Sequence, residues 1–261
     1  MLTLFEHPLS PYAQKNKIAL REKDIEFELA TPDAIGSGDA GGEFLKANPR
    51  GEVPALIDDG FAIFDSTIIL EYLEDKWPTP SLLPESPADR ARVRMIEDVM
   101  DTHFEAINWG LGEIAYFKRA QGKEAEAIFA KAARQTQTFF AWLEEQLGDA
   151  DWFNGAAFGW GDLSVIPYIN GSASFGNTPL AGSKLATWAA RTNARAAVAQ
   201  TAKEAAASIE GMTMVADVVE QGLFKREYRD HRLEWMVKTA GLDVIAKGLD
   251  KNNIRFSNDF S

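Results

Sequence analysis

The hydrophobic pattern of this chain changes period once, and the change falls at a proline-rich stretch. Before it, apolar residues come in short runs separated by turn signals. Beyond Pro78-Thr79-Pro80 and Pro84-Glu85-Ser86-Pro87 they recur every three or four residues over long segments. Short bounded runs read as strands, and the longer spacing reads as one face of a helix. A chain that does both in succession folds as a small α/β unit followed by an all-helical one. The predicted organisation is 1–80, a linker at 81–88, a helical unit at 89–210 and a C-terminal extension at 211–261.

Within the first unit, Leu2 to Glu6 reads as a buried strand that His7-Pro8 breaks. Ser10-Pro11 has the signature of a helix start, with Ser as N-cap and Pro at the first helical position. The next residues set Ile18, Ala19 and Leu20 in a polar background, an amphipathic helix. Ile25 to Leu29 alternates apolar and charged, a strand pattern, and residues 31–42 read as a loop. Glu43 to Ala47 is a short helical turn. Val53 to Ile57 and Ala62 to Phe64 are strands joined by the turn signal Asp58-Asp59-Gly60. Ser66 then opens a helix with Ile69, Tyr72 and Leu73 on one face. The order is β-α-β, then β-β-α, which is thioredoxin-like. The second unit reads as helices over Arg90 to Glu113, Lys123 to Leu147, Phe158 to Ile169 and Leu185 to Ser208. The extension carries one helical stretch over 215–240 and another over 242–249.

Charge and cysteine content narrow the chemistry. Lys plus Arg is 27 and Asp plus Glu is 39, a formal charge of −12 that disfavours nucleic acid and anionic lipid as partners. No segment approaches the roughly 20 apolar residues that span a bilayer, and the N-terminus lacks a signal-peptide pattern. The expectation is a soluble cytoplasmic protein. Cysteine is absent, so disulfides, thiolate metal sites and a protein thiol nucleophile are all excluded. His7, His103 and His231 lack metal-ligand spacing, and no metal is predicted. Asp98, Asp101 and Glu105, at helical spacing, read as an exposed acidic face.

Four ordered blocks over Leu2 to Ala207 resemble cytosolic glutathione transferases. They are Ser10-Pro11-Tyr12-Ala13-Gln14-Lys15; Asn48-Pro49-Arg50-Gly51-Glu52-Val53-Pro54-Ala55-Leu56; Asp65-Ser66-Thr67 leading into Ile69 to Leu73; and Phe158-Gly159-Trp160-Gly161-Asp162-Leu163. The resemblance implies a thioredoxin-like N-terminal domain followed by an all-α domain. It implies glutathione as co-substrate, a homodimer, and an apolar, aromatic electrophile. The first block is similar to the Cys-Pro-Phe-Ala-Gln block of omega-type members, with Ser in place of Cys. Such a protein would activate glutathione for attack on an electrophile rather than form a mixed disulfide. Asn48 to Gly51 and Glu71 to Asp75 also resemble bacterial β-aryl etherases, which implies ether cleavage. A glutathione-transferase-like binding or regulatory protein with little turnover is the other reading.

The residues themselves support specific roles. A Ser hydroxyl at a helix N-terminus can donate to a thiolate that the helix dipole and free N–H groups also favour. Ser10 either only caps its helix or also does this, and Tyr12 is the rival hydroxyl or a substrate-side group. Val53-Pro54 resembles the cis-proline corner of thioredoxin-like folds, which presents the backbone of Val53 to glutathione. Ser66, at a helix start, is implied to hold the γ-glutamyl carboxylate through its N–H and hydroxyl, and Asp65 beside it is implied to bind glutathione too. Lys46 and Arg50 are candidates at the glycyl end, where family members with His or Gln around Gly51 or Glu52 differ from this chain. Trp109 and Tyr116 would border the electrophile pocket. Asp162 is a structural cap, with Gly159 where the family usually has Ser. The extension is either a strap on the helical domain or a cover over the electrophile site.

Overall fold

Four short strands form one mixed sheet in the order β2-β1-β3-β4. They are β1 (Leu2–Phe5), β2 (Glu28–Ala30), β3 (Ala55–Asp58) and β4 (Phe61–Phe64). β1 runs parallel to β2 and antiparallel to β3, so Leu4 lies between Leu29 and Leu56. The turn from β3 to β4 is Asp59-Gly60, with φ of 47° and 90°. Both central residues at positive φ is the geometry that matches the twist of a tight hairpin. The computed structural model describes residues 1–32, 41–209, 215–221, 228, 230–254 and 256. Most of the predicted loop at 31–42 lies outside them.

Helices cover both faces of the sheet. α1 (Pro11–Glu22) and α3 (Ser66–Lys76) lie against one face, over Leu4, Leu56 and Ile63. α2 (Gly42–Ala47) covers the other, where Phe44 and Ala47 pack on Phe5 and Ala55. The helical half follows as α4 (Pro87–Val99), a π-helical turn (Met100–Phe104), α5 (Glu105–Ala115), α6 (Gly122–Leu147), α7 (Trp160–Ser174), α8 (Lys184–Asn193) and α9 (Ala196–Ile209). Leu4, Ile18 and Ile69 share one hydrophobic core with Phe104, Leu163 and Trp188. Among the described residues, no helix is long and apolar enough to cross a membrane.

Several elements differ from their sequence reading. The helix expected over Arg90 to Glu113 is interrupted by the π-helical turn, and Leu185 to Ser208 is two helices broken at Ala194-Arg195. An alanine-rich run holds helical periodicity straight through such a corner, so its pattern gives no warning. In the extension, the stretch over 215–240 contains α10 (Val215–Glu220) and α11 (His231–Ala240), followed by α12 (Leu242–Asp250). Residues 222–227 and 229 of that reading lie outside the described ones. α4 starts at Pro87, inside the expected linker. α3 is capped by Asp65, not Ser66: Asp65 Oδ1 accepts from the N–H groups of Thr67 and Ile68 at 3.1 and 3.3 Å.

α1 is the largest departure. It was expected to be amphipathic, yet Gln14, Lys15, Asn16 and Lys17 are buried along with Ile18, Ala19 and Leu20. α1 packs against α3, α7 and α9 and shares a core with Leu4 and Leu56 of the sheet. A helix so enclosed must satisfy its polar groups inside the protein.

Candidate functional site

α1 begins where β1 ends, and its first turn opens on a cleft of about 2680 Å³ between the α/β and helical halves. Ser10 is the N-cap: its Oγ accepts the Ala13 N–H at 3.3 Å, while its own N–H donates to the His7 carbonyl at 2.8 Å. Capping uses an oxygen lone pair, so the hydroxyl proton can still be donated outward. Ser10 therefore caps the helix and also lines the cleft. Tyr12 lines it too, but its hydroxyl donates to the Asp101 carbonyl at 2.7 Å, and its ring packs edge-on against Tyr168. That proton is already committed.

The other candidates divide. Val53 lines the cleft, and the Val53-Pro54 peptide is cis. Arg50 also lines it, exposed, with its guanidinium 5.0 Å above the Phe64 ring. Trp109 of α5 and Tyr116, the C-cap of that helix, line it as well. Lys46 is exposed in the last turn of α2 and is not among the lining residues. Pro54, Asp65 and Ser66 are not among the lining residues either. Asp65 has φ 78°, a conformation that costs a non-glycine residue about 1–3 kcal/mol and that concentrates at functional sites. It sets the angle at which α3 presents its N-terminus.

Behind Ser10 and Tyr12 stands a buried charge cluster that sequence reasoning missed. The Lys15 ammonium, fully buried, pairs with Glu97 and with Asp101 Oδ2, the latter at 2.5 Å. Glu97 also accepts from Thr67 Oγ1 at 2.9 Å and from the Trp160 indole at 2.5 Å. Asp101 Oδ1 accepts the Tyr168 hydroxyl at 2.7 Å. Burial works against the Lys15 charge, but the two carboxylates outweigh it and hold the ammonium above its ordinary pKa. Burial raises the Asp101 carboxyl, with Lys15 opposing. Burial, then the Asp101 charge, keeps the Tyr168 phenol far above its usual range, so it stays a neutral donor. Asp101 belongs to this cluster and not to an exposed acidic face. Its main partner is Lys15, 86 positions away, and no local pattern could have shown it.

Asp162 is structural in the geometry too. Its Oδ1 accepts from Phe153 N and Trp188 Nε1 at 2.8 and 2.7 Å, and Oδ2 accepts from Gly159 N at 3.0 Å. Gly159 is required here because a Cβ would stand 1.9 Å from Asn154 Nδ2 and 2.3 Å from the Leu82 carbonyl. Asn154 and Leu82 occupy the place a serine side chain would take.

The cleft is thus bordered by the N-terminus of α1 and by an aromatic wall of Trp109 on α5 and Tyr116 at its C-cap. The family model for the glutathione S-transferase N-terminal domain matches residues 4–81. Glutathione S-transferase U28 of Arabidopsis thaliana is 32% identical over 163 residues, covering 62% of this chain and 68% of that one. The structure of rice GST1 in complex with glutathione is similar at 25% identity and a TM-score of 0.68, covering 83% of this chain and 96% of that one. The β-etherase LigF from Sphingobium sp. strain SYK-6 is similar at 26% identity and a TM-score of 0.64, covering 78% and 99%.

Proposed function

The chain belongs to the glutathione S-transferase family and is an enzyme of that family, and from that premise we propose how its own residues carry the reaction. Ser10 donates its hydroxyl proton to the glutathione sulfur, and the N-terminus of α1 adds its partial positive charge. Together they lower the thiol pKa from its ordinary value near 8.5, so more thiolate is present at neutral pH. The backbone of Val53 faces the cysteinyl unit. Ser66, at the start of α3, holds the γ-glutamyl carboxylate, with anion binding at a helix N-terminus as the driving force, and Asp65 beside it takes the ammonium of the same unit. Arg50, and Lys46 further out, lie toward the glycyl carboxylate.

The thiolate attacks an apolar, aromatic electrophile held against Trp109 and Tyr116, with Tyr12 bordering it. With a β-aryl ether as substrate, a carbon–sulfur bond forms at the ether carbon and the carbon–oxygen bond breaks. The phenolate leaves and takes up the proton that the thiol gave. No electron is gained or lost overall. The observation that carries this reading is the position of Ser10, an N-cap hydroxyl opening on the cleft. Since the thiol must be reduced, the reaction suits a cytoplasmic location. The assembly is a homodimer, supported by Ile68 and Met95, 56% and 64% exposed on neighbouring helices α3 and α4 that the Arg94–Glu71 pair joins. The 1–80 and 89–210 units act as the glutathione and electrophile halves.

The test is conjugation by wild type and Ser10→Ala over a panel of aromatic electrophiles. Loss of one preorganised donor lowers kcat/KM about 100-fold while glutathione still binds. Full activity in the variant would remove Ser10 from the mechanism. Tight glutathione retention by wild type without any turnover would favour a binding protein.

A further inference from the structure

The cleft continues well past the sulfur site, and part of its wall comes from the C-terminal extension. Tyr228 donates its hydroxyl to Glu113 Oε2 at 3.1 Å, and Glu113, only 3% exposed, also accepts from Arg119 Nε at 2.9 Å. The Tyr228 ring meets Trp109 edge-on, with centroids 4.5 Å apart and planes at 88°. A second pair forms between Tyr116 and Phe175, with centroids 5.9 Å apart. All four rings line the cleft, as do Leu233 and Val237 of α11. Trp109 in α5 and Tyr116 at its C-cap are seven positions apart, so their backbones are separated by about 10 Å, roughly two turns, along the helix axis.

We propose that Tyr228 is a specificity-determining residue for electrophiles that carry two aromatic rings on a short linker. One ring packs on the Trp109–Tyr228 pair and the other on the Tyr116–Phe175 pair. The inference rests on the conjugation reading for its chemistry, although ring binding is measurable without turnover. Size supports it: the cleft, at about 2680 Å³, exceeds the roughly 300–1,000 Å³ of a pocket for one drug-sized ligand. Glutathione and a single ring would leave the second pair unused. The Glu113 contact gives the extension its part in this. Tyr228 is 58% exposed, and a hydrogen bond to a buried carboxylate, stronger than a neutral one, fixes its ring at the cleft.

Two variants of the full-length chain separate the ring from the hydroxyl. Tyr228→Phe keeps the ring and loses the tie to Glu113; Tyr228→Ala loses both. Calorimetric titration with deoxybenzoin, an unreactive two-ring ketone, is compared with acetophenone, which has one ring, and with glutathione itself. Tyr228→Ala should weaken deoxybenzoin about tenfold and Tyr228→Phe about threefold, from the worth of an aromatic pair and a hydrogen bond. Acetophenone, free to use the other pair, and glutathione should change less than about twofold. Unchanged glutathione affinity also reports an intact fold. Equal losses for both ketones, or unchanged deoxybenzoin binding in Tyr228→Ala, would overturn the proposal. If wild type binds the ketones as expected but not glutathione, the conjugation reading fails alone. If it binds glutathione but Tyr228 does not matter, this inference fails alone.

Discussion

Asp162 accepts three N–H groups at the start of α7, while burial pushes its carboxyl up from 3.8 to about 6. The folded state therefore binds a proton more tightly than the unfolded chain does. This group's contribution to stability is fully present only below 3.8 and is lost as pH rises through about 6. The stability difference between wild type and Asp162→Asn should shrink from pH 3 to pH 7 by on the order of 3 kcal/mol. Urea denaturation at the two pH values measures it, and a difference that grows with pH would contradict it. Local signals made the residues with short-range roles legible. Ser10 caps in place, and Asp162 reaches Gly159 three positions back. Lys15 and Lys17 were not legible, because their carboxylates, Glu97, Asp101, Glu6 and Glu204, come from other elements. Sequence puts a lysine on a surface by default; only tertiary structure supplies two acids to a buried one.

At the scale of elements, the ends of helices decide how the halves meet. The Leu82 carbonyl accepts from Trp160 N at 2.7 Å and from Asn154 Nδ2 at 2.6 Å. That joins the chain between the two halves to the N-terminus of α7. Gly159→Ala would drive a methyl into this junction, and overpacking of this kind costs about 1–3 kcal/mol. Thermal melting should show a clear fall in Tm for Gly159→Ala; an unchanged Tm would contradict this reading of the junction. The element order of the first unit and the hairpin were readable from short apolar runs and from Asp-Gly turn chemistry. The break between α8 and α9 was not, since alanine and threonine continue a helical pattern through it. The π-helical turn was equally silent. An extra residue in a helix leaves hydrophobic spacing nearly intact, yet this turn carries Asp101 to both Lys15 and the Tyr12 hydroxyl.

For the whole molecule, the proposed dimer has a direct physical consequence. Burying Ile68 and Met95 of two copies against each other removes apolar surface from water at about 25 cal/mol per Å². Sedimentation at micromolar concentration should give twice the 28.8 kDa chain mass, and the double variant Ile68→Glu, Met95→Glu should give the chain mass alone. A wild-type monomer would remove the dimer. The absence of cysteine also acquires a consequence at this scale. A hydroxyl stands at the N-terminus of α1, so the reactive sulfur must arrive on glutathione. The measurement that bears most directly on that is the thiol pKa of bound glutathione, followed by the ultraviolet absorbance of the thiolate across a pH titration. Wild type should titrate at least one unit below the ordinary value near 8.5, and Ser10→Ala should return most of the way to it. Equal titration curves for the two proteins would contradict the role of Ser10.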